Sequence, residues 1–101
     1  MKTFGSHNYY VYILTNRNKT VLYVGVTNDL KIRIYQHNHQ EVNSKSFTTK
    51  YKCFYLVYYE HFLIIDDAIA REKQIKGWSR SKKNQLITKF NENWIFLNND
   101  I

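Results

Sequence analysis

Two short stretches dense in β-branched and aromatic residues, Tyr9 to Leu14 and Val21 to Val26, are separated only by the polar run Thr15-Asn16-Arg17-Asn18-Lys19-Thr20. Such residues suit the pleated, half-buried surface of a strand, and so short a connection turns the chain back antiparallel to itself. A hairpin is therefore the element from which this fold must grow. Alternation along each strand sorts its faces. Val11 and Ile13 share an aliphatic face with Leu22, Val24 and Val26. Tyr10, Tyr12, Tyr23 and the side-chain-free Gly25 share the other face, whose hydroxyls have a use beyond packing.

The rest of the chain reads as a cover for that hairpin. Thr27 or Asn28 is placed to cap a helix from Asp29 to about His39, with Asp29 suiting the positive end of its dipole. Glu41 to Lys52 is expected to be a polar, basic loop, and Phe54 to Glu60 a third strand. Asp66 is expected to cap a second helix ending near Lys76, with Gly77 as its stop, and Arg80 to Phe90 to form a third. Trp94 to Leu97 reads as a short docking tail. The expected class is α+β: a small three-stranded antiparallel sheet flanked by about three helices. Residues 1–8 would be a flexible lead-in, 9–97 one domain, and 98–101 a terminal tail.

A length of 101 residues, 44% hydrophobic and 17% aromatic, suits one compact core and argues against disorder along the chain. No apolar run approaches the roughly 20 residues that span a bilayer. The single cysteine, Cys53, excludes an internal disulfide, so a reducing cytoplasm is the expected location. Fifteen Lys and Arg against eight Asp and Glu give a formal charge of +7. That surplus favours a polyanionic partner, because cations that displace counterions from phosphates drive sequence-independent binding.

Several residues could carry chemistry. The phenols of Tyr12 and Tyr23 can orient or deprotonate a water, although strand tyrosines usually serve packing. Arg33 and His37 lie one turn apart on one helix face, beside the stripe of Leu30 and Ile34. There an Arg can clamp a phosphate and a His can act as a base, or both can be ordinary surface residues. Glu72 falls among the inward positions Ala68, Ile69 and Ile75 of its helix. A carboxylate is rarely buried without a partner, which leaves a Mg²⁺ site or a salt bridge to Arg33 as the two readings. Lys73, Lys76, Arg80, Lys82 and Lys83 interleave with Trp78, and with Lys31 and Lys50 they make a candidate nucleic-acid surface. Asn91 can orient a phosphate or support Glu72.

These residues, taken in order, resemble the signature of the GIY-YIG nuclease superfamily, closest to its small single-domain bacterial proteins. The pattern is carried by Tyr10-Val11-Tyr12-Ile13-Leu14, Leu22-Tyr23-Val24-Gly25-Val26-Thr27-Asn28-Asp29-Leu30, Arg33 with Tyr35-Gln36-His37-Asn38, Lys50-Tyr51-Lys52, and Ala70-Arg71-Glu72-Lys73-Gln74-Ile75-Lys76-Gly77-Trp78. Tyr10 stands where the name motif has its first glycine, and Ile32 where a second basic residue is common. The resemblance implies a metal-dependent endonuclease acting on phosphodiesters, in DNA rather than RNA, in a setting of repair or recombination. It implies Tyr12, Tyr23, Arg33, His37 and Asn91 as catalytic residues and Glu72 as the ligand of Mg²⁺, with Mn²⁺ as a substitute. It leaves room for a targeting protein partner and for a monomer or weak dimer. The rival reading is a nucleic-acid-binding module of the same fold without catalysis; a protein-interaction domain is the second rival.

Overall fold

The computed structural model describes residues 7–39 and 46–101. Most of the expected lead-in, and the first part of the expected loop, lie outside these residues. The hairpin forms as β1 (Tyr9–Thr15) and β2 (Leu22–Thr27), antiparallel, with Tyr12 directly opposite Gly25. Its turn is closed by Asn16, whose side-chain oxygen accepts from the backbone N–H groups of Thr20 and Val21. The third strand, β3 (Tyr55–Phe62), pairs antiparallel with the other side of β1, giving the order β2-β1-β3. The central place of β1 explains its composition: Val11 to Thr15 are all 0% exposed. Between Ile13 and Leu14 the register to β3 slips from Tyr58 to Leu56, so Val57 is an inserted bulge residue.

The helices fall into two layers as the hairpin's alternation demands. On the aliphatic face, Val11, Ile13 and Val24 pack against Ala68 and Ile75 of α3 (Ile65–Lys76) and Ile87 of α4 (Arg80–Phe90). On the tyrosine face, Tyr12 and Leu14 pack against Leu30 and Ile34 of α1 (Leu30–Asn38), with Cys53 and Leu56. Truncating a buried aliphatic such as Ile75 or Ile87 to Ala costs about 2–5 kcal/mol through lost burial and the cavity left behind.

Local chemistry moves several boundaries. The cap of α1 is Asp29 itself, whose carboxylate accepts from Ile32 N–H at 3.0 Å, while Thr27 Oγ1 accepts from Asp29 N–H. Helix α3 begins at Ile65 behind Ile64, which makes no side-chain cap bond, and Asp66 and Asp67 supply negative charge in its first turn instead. The expected basic loop contains a fourth helix, α2 (Phe47–Tyr51), capped by Ser46 and ended by Lys52 in the left-handed region at φ 56°. Beyond Leu97 the chain forms a 3₁₀ turn, Asn98–Asp100.

Gly25 is required by the strand opposite. A Cβ built there would stand 2.6 Å from both Cζ and the hydroxyl oxygen of Tyr12, inside any permissible contact. The phenol thus occupies the space a side chain would take. Gly25→Ala is expected to lower stability by about 1–3 kcal/mol through overpacking. Urea denaturation would show this as a lower midpoint with an unchanged slope.

Candidate active site

Four of the six residues expected at the centre come together on the tyrosine face. Tyr12, in the middle of β1, is fully buried, and its hydroxyl lies 2.9 Å from His37 Nε2. Arg33, one turn earlier on α1, donates from Nε to the same hydroxyl at 3.4 Å and from Nη1 to Gln36 Oε1 at 3.2 Å. A guanidinium has no acceptor, so Tyr12 accepts there and keeps its own proton for another partner. The Tyr23 ring stands 6.2 Å from that of Tyr12 and 5.4 Å from that of His37, and its own side chain is half-buried.

Burial sets the protonation of this group. Loss of solvent pushes the Tyr12 phenol up to about 12, with Arg33 partly offsetting it. Burial, with the Arg33 charge adding to it, lowers His37 to about 4. The hydrogen bond to Tyr12 raises Arg33 above its ordinary value. At neutral pH the cluster is therefore a protonated phenol, a neutral imidazole and one fixed positive charge. Tyr12 is a donor here and a poor base, and being 0% exposed it acts through its neighbours.

Helix α2 adds two residues that sequence reading missed. Thr48 is 2% exposed and its Oγ1 lies 3.1 Å from His37 Nδ1. Phe47 sets its ring, tilted, 5.8 Å from that of Tyr23 and 4.7 Å from that of Tyr51. The available signal was Ser46 three residues before Thr49, an N-cap spacing inside a segment too short to show helical periodicity.

Glu72 and Asn91 sit elsewhere. Glu72 is buried in the α3 layer on the aliphatic side of the sheet and pairs with Lys76, one turn on, so the expected alternative of a bridge to Arg33 is replaced by a local ion pair. Arg71 on one flank of α3 reaches Glu60 of β3 at 3.0 Å, which leaves Ile69, Glu72 and Lys76 on the flank turned away from β3. Asn91 donates to Val57 O and Ile95 O and accepts from Ile95 N–H, so its amide ties the tail to β3. Among the described residues no hydrogen bond, ion pair or ring contact joins Glu72 or Asn91 to the four-residue cluster.

The expected nucleic-acid cations are scattered. Arg80 donates to Thr20 O and Lys19 O and so pins the hairpin turn. Lys82 and Arg71 cover Trp78, at 4.4 and 5.2 Å from its ring centroid. Lys50 lies over Tyr51 beside the cluster. Lys31, Lys73 and Lys76 are exposed, and Lys83 is half-buried.

No group of three or more His, Cys, Asp or Glu side chains able to hold a metal occurs among the described residues. The donor set that remains is a single carboxylate at the core edge, its side chain 12% exposed, paired with a lysine ammonium that is 53% exposed. One carboxylate fits Mg²⁺ or Mn²⁺, because Mg²⁺ retains most of its water and is completed by substrate phosphate. A flexible surface ammonium is a partner that a dication can displace.

Residues 8–85 match the model of the GIY-YIG catalytic domain, and the chain belongs to that family of nuclease domains. Asn91 lies beyond the matched segment. The chain is 35% identical over 81 residues to a UPF0213 protein of Bacillus pumilus, covering 80% of each. It is 38% identical over 78 residues to a UPF0213 protein of Syntrophus aciditrophicus, covering 77% of this chain and 87% of that one. Its fold is similar to the solution NMR structure of a UPF0213 protein of Bacillus halodurans, with a TM-score of 0.50, 30% identity, and coverage of 80% and 83% of the two chains. No helix among the described residues is long and apolar enough to cross a membrane.

The neutral buried imidazole gives the fold an acid weakness. His37 takes a proton near pH 4 when folded and near 6.5 when unfolded, so between those values the unfolded chain binds more protons. Stability therefore rises with pH through this window and is lost as pH falls from about 6.5 towards 4. A shift of that size corresponds to roughly 3 kcal/mol. His37→Gln is expected to remove most of this dependence, measured as the fall in urea midpoint from pH 7 to pH 4.

Proposed function

We propose that this chain is a divalent-metal-dependent endonuclease that hydrolyses phosphodiester bonds in DNA. The observation that carries the reading is the fixed guanidinium of Arg33, held by a buried phenol on a GIY-YIG framework. A positive charge oriented in advance stabilises charge as it develops on a phosphate, with little reorganisation during reaction. Arg33 would donate its remaining N–H groups to a phosphate oxygen. Tyr23, the half-buried phenol, would hold the attacking water, and Tyr12 and His37 would fix the pair. Of the candidate bases, Tyr12 is disfavoured by its high pKa and complete burial. Glu72 would hold the ion, which when bound polarises the phosphate and stabilises the leaving oxygen. Because β2 is an edge strand, a substrate lying across that edge could meet Arg33 and Tyr23 on one face and the flank of α3 on the other. The net charge of +7 suits such a polyanion, and a role in repair or recombination agrees with the family.

Nicking of supercoiled plasmid and of branched DNA, in Mg²⁺, Mn²⁺ or EDTA, tests the reading. Wild type is expected to cut only with metal. Glu72→Ala should abolish cutting, and Arg33→Ala should slow it about 100-fold or more. Cutting by Glu72→Ala at the wild-type rate would overturn the assignment of the ion. Salt-sensitive binding with no cleavage under any condition would favour the non-catalytic binding module.

A further inference from the structure

The exposed aromatic residues of α2 begin at the cluster and lead away from it. The ring of Tyr23 is followed by that of Phe47 at 5.8 Å, and Phe47 by Tyr51 at 4.7 Å. Neither of the last two is buried: Phe47 is 44% exposed and Tyr51 40%. They are four residues apart, so α2 presents both rings on one face. Tyr51 also lines an open cleft of about 250 Å³ between the end of α2 and the hairpin turn, together with Arg17, Asn18, Lys52 and Tyr55. The Tyr55 ring is backed by Phe96, stacked on it at 4.3 Å.

The charge of this cleft is one-sided. Arg17 and Lys52 bring two cations, no acidic side chain lines it, and Lys50 stands over the Tyr51 ring at 5.3 Å. The side chains of Arg17, Asn18 and Lys52 make no hydrogen bond or ion pair among the described residues. Lys52 sits in the left-handed region at φ 56°, where glycine fits without strain. The chain thus keeps a cation at the cleft at some cost in backbone energy.

We propose that Phe47, Tyr51 and this cleft form a subsite for unpaired DNA beside the scissile phosphate. A base that has left its stack lies on Tyr51, and the phosphates around it meet Lys50, Lys52 and Arg17. The proposal rests on the nuclease reading only in placing the scissile phosphate at Arg33. Duplex DNA shows its grooves the edges of its bases, so an aromatic ring stacks only on a base that is unpaired or flipped out. Exposed rings along a cationic track suit a single strand of any sequence, because every base has a π-face and every linkage a charge. Asn18 offers both donor and acceptor to a base edge. The cleft is smaller than the roughly 300–1,000 Å³ of sites that enclose a whole small molecule, so it takes one ring system at a time. The Lys50 ammonium is held only weakly over an exposed ring and yields that place to a base.

The test is fluorescence anisotropy of the full chain, in EDTA, with a labelled single-stranded oligonucleotide of mixed sequence and with the fully paired duplex built on it. Tyr51→Ala is expected to lose about tenfold in affinity for the single strand and under about twofold for the duplex, while Tyr51→Phe binds as wild type does. Lys52→Gly separates binding from folding. Its urea midpoint should equal or exceed that of wild type, because the left-handed strain is relieved. Its salt slope on the single strand should nevertheless fall by about 0.7, the loss of one phosphate contact. Equal losses by Tyr51→Ala on both oligonucleotides would overturn the proposal in favour of a duplex-binding face. No loss on either would overturn it in favour of packing or a protein partner. Should Tyr51→Ala fail to fold, a Lys52→Gly protein with the wild-type salt slope would overturn it alone. A chain that binds the single strand through Tyr51 but cuts nothing would sink the nuclease reading and leave the subsite standing.

Discussion

The hydrogen bond from Arg33 to the buried phenol of Tyr12 is the contact around which the tyrosine face is organised. It joins the central strand to α1 and gives a surface cation a fixed direction. It also requires a neighbour without a side chain, because the ring lies where a Cβ at position 25 would be. The glycine of one strand and the tyrosine of the other are thus a single steric unit, set by their direct pairing across the hairpin. The spacing of the two motifs follows from turn length and register.

Much of this was legible in the chain. The alternation of Val11 and Ile13 against Tyr10 and Tyr12 separates the two packing layers, because period-2 geometry leaves a strand no other choice. Strand faces paired Tyr12 with Tyr23 and one helical turn paired Arg33 with His37, while the meeting of the two pairs was implied by the family resemblance alone. What escaped was α2, since five residues are too few to show a period and its stabilising bonds come from Ser46 and from packing on Tyr23. The direction of the Glu72 pairing escaped too. A buried carboxylate announces that it needs a cation, but whether that is Lys76 on its own helix or Arg33 across the sheet depends on which layer each helix joins. The amide of Asn91 was unreadable for the same reason: its three bonds are to backbone groups that only the folded tail brings within reach.

Protonation follows from depth more than from charge. The dominant influence on Tyr12 and on His37 is loss of water, and in both it favours the neutral form. A cluster neutral except for Arg33 concentrates its field on one group. It also pulls fold and chemistry in opposite directions, since the burial that orients the guanidinium leaves the imidazole unable to accept a proton in acid without weakening the core.

The two edges of the sheet are treated differently. Along β3, Leu97 N–H donates to Leu56 O, while the side-chain amide of Asn98 accepts from Leu56 N–H and donates to Phe54 O. One carboxamide copies both halves of a peptide group, so the terminal segment covers the start of that border as a short surrogate strand. The border along β2 has no such seal among the described residues. An unsealed border is a template for another extended chain. A segment joining this sheet by backbone pairing along β2 would lie beside Tyr23, so strand addition there and access to the cluster would compete for the same strip of protein.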